Sequence, residues 1–205
     1  IELQCDGESP IKALLEEVKR RRNDGITHIK PWLRTSPDYS HQSNGGAERE
    51  VRTIGELTRT LLSSVRARFG CEMRASSRLV PWAIRHAAFL QARFHVMANR
   101  GKDTAYYIVT GKTFNEPIVQ FAEIVHYRLL TGGNNAKLVP RFEKGVWIGR
   151  EEQGLNHLLL TTEGVKTARC IRRLAADGQN DINELERACG LPWAIKDGVG
   201  EGLHR

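Results

Sequence analysis

Cysteine is sparse in this sequence, and long apolar runs are absent from it. The 205 residues include four cysteines. Cys5, Cys71, Cys170 and Cys189 stand far apart and form no Cys-x-x-Cys pair, which argues against a zinc site and for a reducing compartment. No stretch approaches the roughly 20 consecutive apolar residues of a membrane helix. No basic-then-apolar leader opens the chain, and no segment repeats at a fixed period. The opening Ile1-Glu-Leu-Gln-Cys-Asp6 reads as the middle of a strand, so the sequence is expected to begin inside a fold.

What is present is an ordinary globular composition with a basic balance. Hydrophobic residues make up 40% and charged residues 27%, enough to bury a sizeable core in one or two domains. Lys and Arg number 31 against 24 Asp and Glu, a formal net charge of +7. Such an excess favours a polyanionic partner. The plainer reading is a soluble protein that happens to be basic.

The chain is organised around the stretch from Thr35 to Ile54. Pro37, Asn44, Gly45 and Gly46 are loop formers. From Ala47 the apolar period becomes helical, with Val51, Ile54, Leu61, Leu62, Val65 and Phe69 on one stripe. At 100° per residue, Glu48, Arg52, Gly55, Arg59 and Arg66 line up beside it. By itself that edge reads equally as a solvated face with Glu–Arg support at i,i+4.

Upstream, residues 1–6 read as a buried strand that ends at Asp6-Gly7. Ser9 is the expected N-cap and Pro10 the first position of a helix whose apolar face is Ile11, Leu14, Leu15 and Val18. Lys19-Arg-Arg-Arg22 closes it, where cations suit a helix C-terminus; the same run can be read as a nuclear localisation patch. A short strand, interrupted by Pro31, is expected from Ile26 to Leu33. Downstream, a helix is expected from Leu79 to Val96, with His86 a core histidine and His95 at its end. Past Phe121 the period falls toward two. Strands are expected at Ala122–Leu130, Gly145–Gly149, Leu155–Thr161 and Val165–Leu174. Arg169, Arg172 and Arg173 give the last a basic edge.

The run Gln42-Ser43-Asn44-Gly45-Gly46-Ala47-Glu48 resembles the last catalytic segment of retroviral-type integrases, most closely the copia-type retrotransposon branch. Thr104-Ala-Tyr-Tyr-Ile-Val-Thr-Gly-Lys112 and Phe142-Glu-Lys-Gly-Val-Trp-Ile-Gly149 resemble later elements of the same branch, although Ala105 stands where proline is usual. In that family a loop with Gln-Ser-(Asn/Gln)-Gly leads to the third carboxylate of an Asp, Asp, Glu metal site. The resemblance therefore implies Glu48 as that carboxylate, and Asp6, at its strand end, as the second. Both are implied catalytic residues and ligands of Mg²⁺ or Mn²⁺. Tyr39, Gln42, Asn44 and Arg52 fall on implied DNA-contacting positions, and Arg59 and Arg66 extend the basic column. No residue matches the family's first Asp: Asp24 and Asp38 have the wrong context, its expected place precedes Ile1, and the chain as given is expected to be inactive by itself. The spacing from Asp6 to Glu48 is also longer than the family's usual.

The resemblance implies a mixed α/β fold: a partial RNase H-like core over residues 1–100, a connector over 101–117, a small SH3-like β-barrel over 118–174 and a polar tail over 175–205. It implies metal-dependent polynucleotidyl transfer that joins DNA 3′ ends, with retroelement ends and target DNA as partners, a homo-oligomer as an open possibility, no membrane partner and a nuclear location. Two other readings stay open: a basic nucleic-acid-binding module without chemistry, and an RNase H-like nuclease that cuts without joining.

Overall fold

The computed structural model describes residues 2–5, 8–23, 32–35, 45–96, 103–129, 140–152 and 155–194. Asp6, Tyr39, Gln42 and Asn44 lie outside the described residues. The chain divides into two compact units, residues 1–53 and 54–205.

The first unit contains strand β1 (Glu2–Cys5), helix α1 (Ser9–Asn23) and strand β2 (Trp32–Thr35). The strands pair in parallel, from Glu2 with Trp32 to Cys5 with Thr35. Parallel neighbours need a crossover, and α1 lies on that connection. The Lys12 amide donates to the Glu8 carbonyl at 3.0 Å, so Glu8 and not Ser9 holds the N-cap place. Pro10 moves one position inward, still within the turn whose N–H groups lack partners. Of the strand expected from Ile26 to Leu33, Trp32 and Leu33 lie in β2, and residues 24–31 lie outside the described residues. On α1 the expected apolar face is half-buried at Ile11, Leu15 and Val18, while Leu14 is 62% exposed.

Helix α2 spans Gly45–Phe69, so Gly45 and Gly46, read as loop formers, are its first residues. Its buried residues are Thr58, Val65 and Phe69, one face at helical spacing. The stripe expected from Val51 is covered only toward its C-terminal end, since Val51 is 71% exposed.

The second unit continues with α3 (Leu79–Phe94) and α4 (Ala105–Thr110). Thr104 caps α4 by accepting the Tyr107 amide at 3.1 Å, and Gly111, at φ +69°, ends it in the left-handed conformation. Five strands follow: β3 (Ile124–Arg128), β4 (Phe142–Arg150), β5 (His157–Thr161), β6 (Gly164–Ala168) and β7 (Ile171–Arg173). They form one antiparallel sheet in the order β6-β5-β4-β3-β7.

That order has a geometric consequence. A flat row would set the edge strands β6 and β7 about 19 Å apart, at about 4.8 Å per step. They are joined by Arg169-Cys170 alone, and such a link reaches at most about 11 Å. The sheet must curl to bring its edges together. Strand β4 makes the corner: it pairs with β3 from Phe142 to Val146 and with β5 from Val146 to Arg150, with a register shift between Trp147 and Gly149. A bulge of this kind bends and twists a strand.

Each face of the curled sheet carries an apolar cluster. Val125, Tyr127, Trp147, Leu159 and Ala168 form a core on one side with Val119. Ile124, Val146, Ile148, Leu158 and Leu160 face the other way and pack with Val65 and Phe69 of α2 and Leu79, Trp82 and Ala83 of α3. The sheet and these helices therefore share a core within one unit, across the boundary expected between residues 100 and 118. The expected polar tail is structured as far as residue 194, and a short helix falls where Asn183–Cys189 reads as one. Helix α5 (Ile182–Arg187) and the residues after it bury Leu185 and Ala188 in that core. The Trp82 Nε1–H donates to the Gly190 carbonyl at 3.1 Å.

Candidate nucleic-acid interface and carboxylate site

Glu48 lies in the first turn of α2 and is exposed. The positive end of a helix favours a negative group at this position. Arg52, Arg59 and Arg66 on the same helix are also exposed. Arg66 is paired with Glu72. Both partners are more than half exposed, and an ion pair of this kind contributes about 0–1 kcal/mol, too little to withhold Arg66 from a phosphate. Asp6, Tyr39, Gln42 and Asn44 are outside the described residues, so the expected pairing of Asp6 with Glu48 has no measured geometry. Among the described residues no group of three or more His, Cys, Asp or Glu side chains comes together.

The other charged groups of the second unit divide into buried and exposed sets. Glu123 is 0% exposed, and the Arg173 guanidinium donates to both of its oxygens at 2.7 and 2.8 Å. Arg93 lies over the Phe89, Tyr106 and Phe114 rings, 3.8 Å from the nearest centroid. Arg150 is buried and donates to the carbonyls of Leu155 and Pro117 at 2.6 and 3.1 Å. These arginines are committed to the fold.

His86 is a core histidine, as its place on the apolar face of α3 predicts. It is 3% exposed and stacked between Phe89 and Phe121, with Trp147 edge-on at 5.2 Å. Its Nδ1 has no hydrogen-bond partner. Burial lowers its pKa to about 4, so the ring is neutral at physiological pH. His157 is lowered to about 4, first by burial and then by Arg150. Its Nδ1 accepts from the Trp147 Nε1–H at 3.0 Å.

Sequence reasoning missed a second cationic surface. Strand β3 alternates strictly: Val125 and Tyr127 enter the core, while His126 and Arg128 face the opposite side. Lys144 and Arg172 stand across from His126, and Phe142 across from Arg128. The signal was the basic edge read for the last strand, but only the register joins it to β3 and β4.

Scans against protein-family models, curated proteins and solved structures return no match to this chain. No helix among the described residues is long and apolar enough to cross a membrane.

Proposed function

We propose that this chain is part of a copia-type, retroviral-type integrase, which joins DNA 3′ ends by metal-dependent transfer at phosphorus in the nucleus. The observation that carries this reading is the position of Glu48: exposed, in the first turn of a 25-residue helix, directly after the Gln42–Asn44 segment. Two features support the finer fold assignment. The β1-α1-β2 segment, with its parallel pairing, suits an RNase H-like core. The strand order β6-β5-β4-β3-β7 with its two-residue edge link suits an SH3-like barrel.

Asp6 and Glu48 supply hard oxygen donors, the kind that Mg²⁺ and Mn²⁺ prefer. Glu48 lies in the same compact unit as β1, and Asp6 is next in sequence after that strand. A divalent ion held there activates a hydroxyl nucleophile and offsets charge on the leaving oxygen. The chain's own residues do the rest. Glu48 is fixed to the start of a helix, so its backbone is pre-set rather than drawn from a loop ensemble. Arg52, Arg59 and Arg66 follow it along the helix and hold the DNA backbone by charge, without reading bases.

A nucleic-acid-binding module without chemistry is the second reading. It is favoured by the exposed cations of α2, which suit phosphate contacts without any chemistry. The test is a joining assay with Mn²⁺ on a labelled, pre-cut DNA end, alongside Mn²⁺ titration followed by electron paramagnetic resonance. The expected result is weak Mn²⁺ binding and little joining by this chain, robust joining by a chain extended upstream through an Asp-bearing strand, and loss of both in Asp6→Asn and Glu48→Gln. Cleavage without joining assigns the nuclease. DNA binding with neither product nor Mn²⁺ uptake assigns the binding module and refutes the transferase.

A further inference from the structure

Strand β4 has nine residues and its neighbour β5 five, so part of one β4 edge has no strand beside it. The Leu129 amide donates to the Arg141 carbonyl at 3.0 Å, and the Trp147 amide to the Glu123 carbonyl at 2.8 Å. Backbone groups of alternate residues point the same way, so those of Glu143 and Gly145 also face β3. Those of Phe142, Lys144 and Val146 face away from it. Val146 meets Leu160, where the β4–β5 ladder begins. Past Leu160 the chain turns into β6, and the Thr161 carbonyl accepts the Cys189 amide at 2.8 Å. Among the described residues, no strand pairs with the outer edge of Phe142 and Lys144.

A cleft of about 290 Å³ lies along this edge. Its lining includes Glu143 and Lys144 of β4, Thr162 and Glu163 of the β5–β6 turn, and Glu184 and Ala188 at α5. Its charge is mostly negative. Lys144 stands 3.9 Å from Glu184, and Glu163 pairs with Lys166 at 2.8 Å. Glu143 accepts the Tyr127 hydroxyl at 2.8 Å with one oxygen and has no cation within ion-pair distance among the described residues. Burial, then the hydrogen bond and charge of Glu143 and the charge of Glu163, raise the Tyr127 pKa. Both carboxylates therefore act on one hydroxyl, and they approach each other on the Tyr127 side of the edge.

We propose that this edge captures an extended basic peptide of a partner protein, which adds to β4 as an antiparallel strand. Its backbone pairs with the amides and carbonyls of Phe142 and Lys144, and a Lys or Arg side chain between those two pairs reaches Glu143 and Glu163. Strand addition of this kind takes affinity from main-chain hydrogen bonds and specificity from alternate side chains. The residue opposite Glu143 shares its face, where an opposite charge is favoured. A phosphate chain is repelled by the same carboxylates. A second copy is disfavoured too, because antiparallel pairing of two such edges sets the two Glu143 side chains directly opposite. The inference does not rest on Asp6, Glu48 or the integrase reading.

The experiment is fluorescence anisotropy of the full chain with a labelled peptide, Ser-Thr-Val-Lys-Val-Thr-Ser. The formal net charge of +7 gives a basic peptide no general attraction, so binding reports local carboxylates. Replacing the peptide's lysine by glutamate, or N-methylating both valines, should weaken binding about tenfold or more. N-methylating the lysine and the threonines, whose amides face away from β4, should leave it intact. Glu143→Gln keeps an acceptor for Tyr127 and should weaken binding about fivefold. Lys144→Pro removes an outward amide, a change that edge strands tolerate, and should abolish binding that Lys144→Gln retains. If Lys144→Pro lowers the melting temperature, the two N-methylated peptides decide alone. No binding at millimolar peptide overturns the proposal, as does equal loss with either N-methylation pattern. Equal competition by oligothymidine assigns the cleft to phosphate and overturns it. Self-association of the full chain that Lys144→Pro abolishes assigns the edge to a second copy and also overturns it.

Discussion

Acid should unfold the second unit through two histidines, and the size of the effect follows from their burial. The pKa values of His86 and His157 are lowered from 6.5 to about 4. The folded state therefore resists a proton that the unfolded chain accepts. Stability is complete above about pH 6.5, falls as pH drops through the window from 6.5 to 4, and levels off below it as far as these groups are concerned. Each histidine accounts for about 2 kcal/mol between pH 7.5 and pH 5, and for about 3 kcal/mol in full. The assay is urea denaturation followed by tryptophan fluorescence, since Trp147 touches both rings. Carboxylates titrate in the same range, so the informative quantity is the difference from His86→Leu, a change near in volume. The parent should lose about 4 kcal/mol from the two histidines over that interval and the variant about 2. Equal losses, or an NMR titration of His86 near pH 6.5, would refute the argument that burial without a partner sets its protonation.

Two further substitutions probe the same unit. Arg173→Met leaves the Glu123 carboxylate buried without its bidentate partner and should cost about 2–4 kcal/mol in urea denaturation, the lower end reflecting the exposed side of Arg173. Gly190→Ala places a methyl group 2.7 Å from Val165 Cγ2 on a backbone at φ +121°; it should destabilise by about 2–4 kcal/mol and lower the melting temperature, whereas Gly70→Ala meets no side chain and carries only its own φ of +62°.

Much of the local order was legible, because helical period and turn residues act locally. The start of α3 at Leu79, the core position of His86 and the first-turn position of Glu48 all follow from spacing. The failures have separate causes. The stretch from Val165 to Leu174 read as one strand because nothing at Arg169-Cys170 marks a break; the curl of the sheet, a tertiary effect, divides it into β6 and β7. Tyr106, Tyr107, Ile108 and Val109 favour strands by propensity, yet the caps at Thr104 and Gly111 set them in helix α4. The segment after residue 175 looked polar because its apolar residues are few, yet Leu185 and Ala188 are placed where the α2–α3–sheet core is still open. Of the candidate site, the sequence marked Glu48 and the arginines of α2; the sheet face around Phe142 depends on register, which no single strand encodes.

The two-residue link between the edges of the sheet also sets a kinetic order. The hairpins β3–β4, β4–β5 and β5–β6 join strands that follow one another in sequence. The β3–β7 ladder instead closes over everything between, from Val125 to Arg173. Its entropy of closure is met only after the intervening hairpins have curled, and a strand of three residues brings few hydrogen bonds in return. Strand β7 is therefore the last to dock on folding and the first to lift on opening. Its amides, and the Arg128 amide that donates to the Cys170 carbonyl at 3.1 Å, should mark the unit's earliest-exchanging ladder, ahead of the β4–β5 centre.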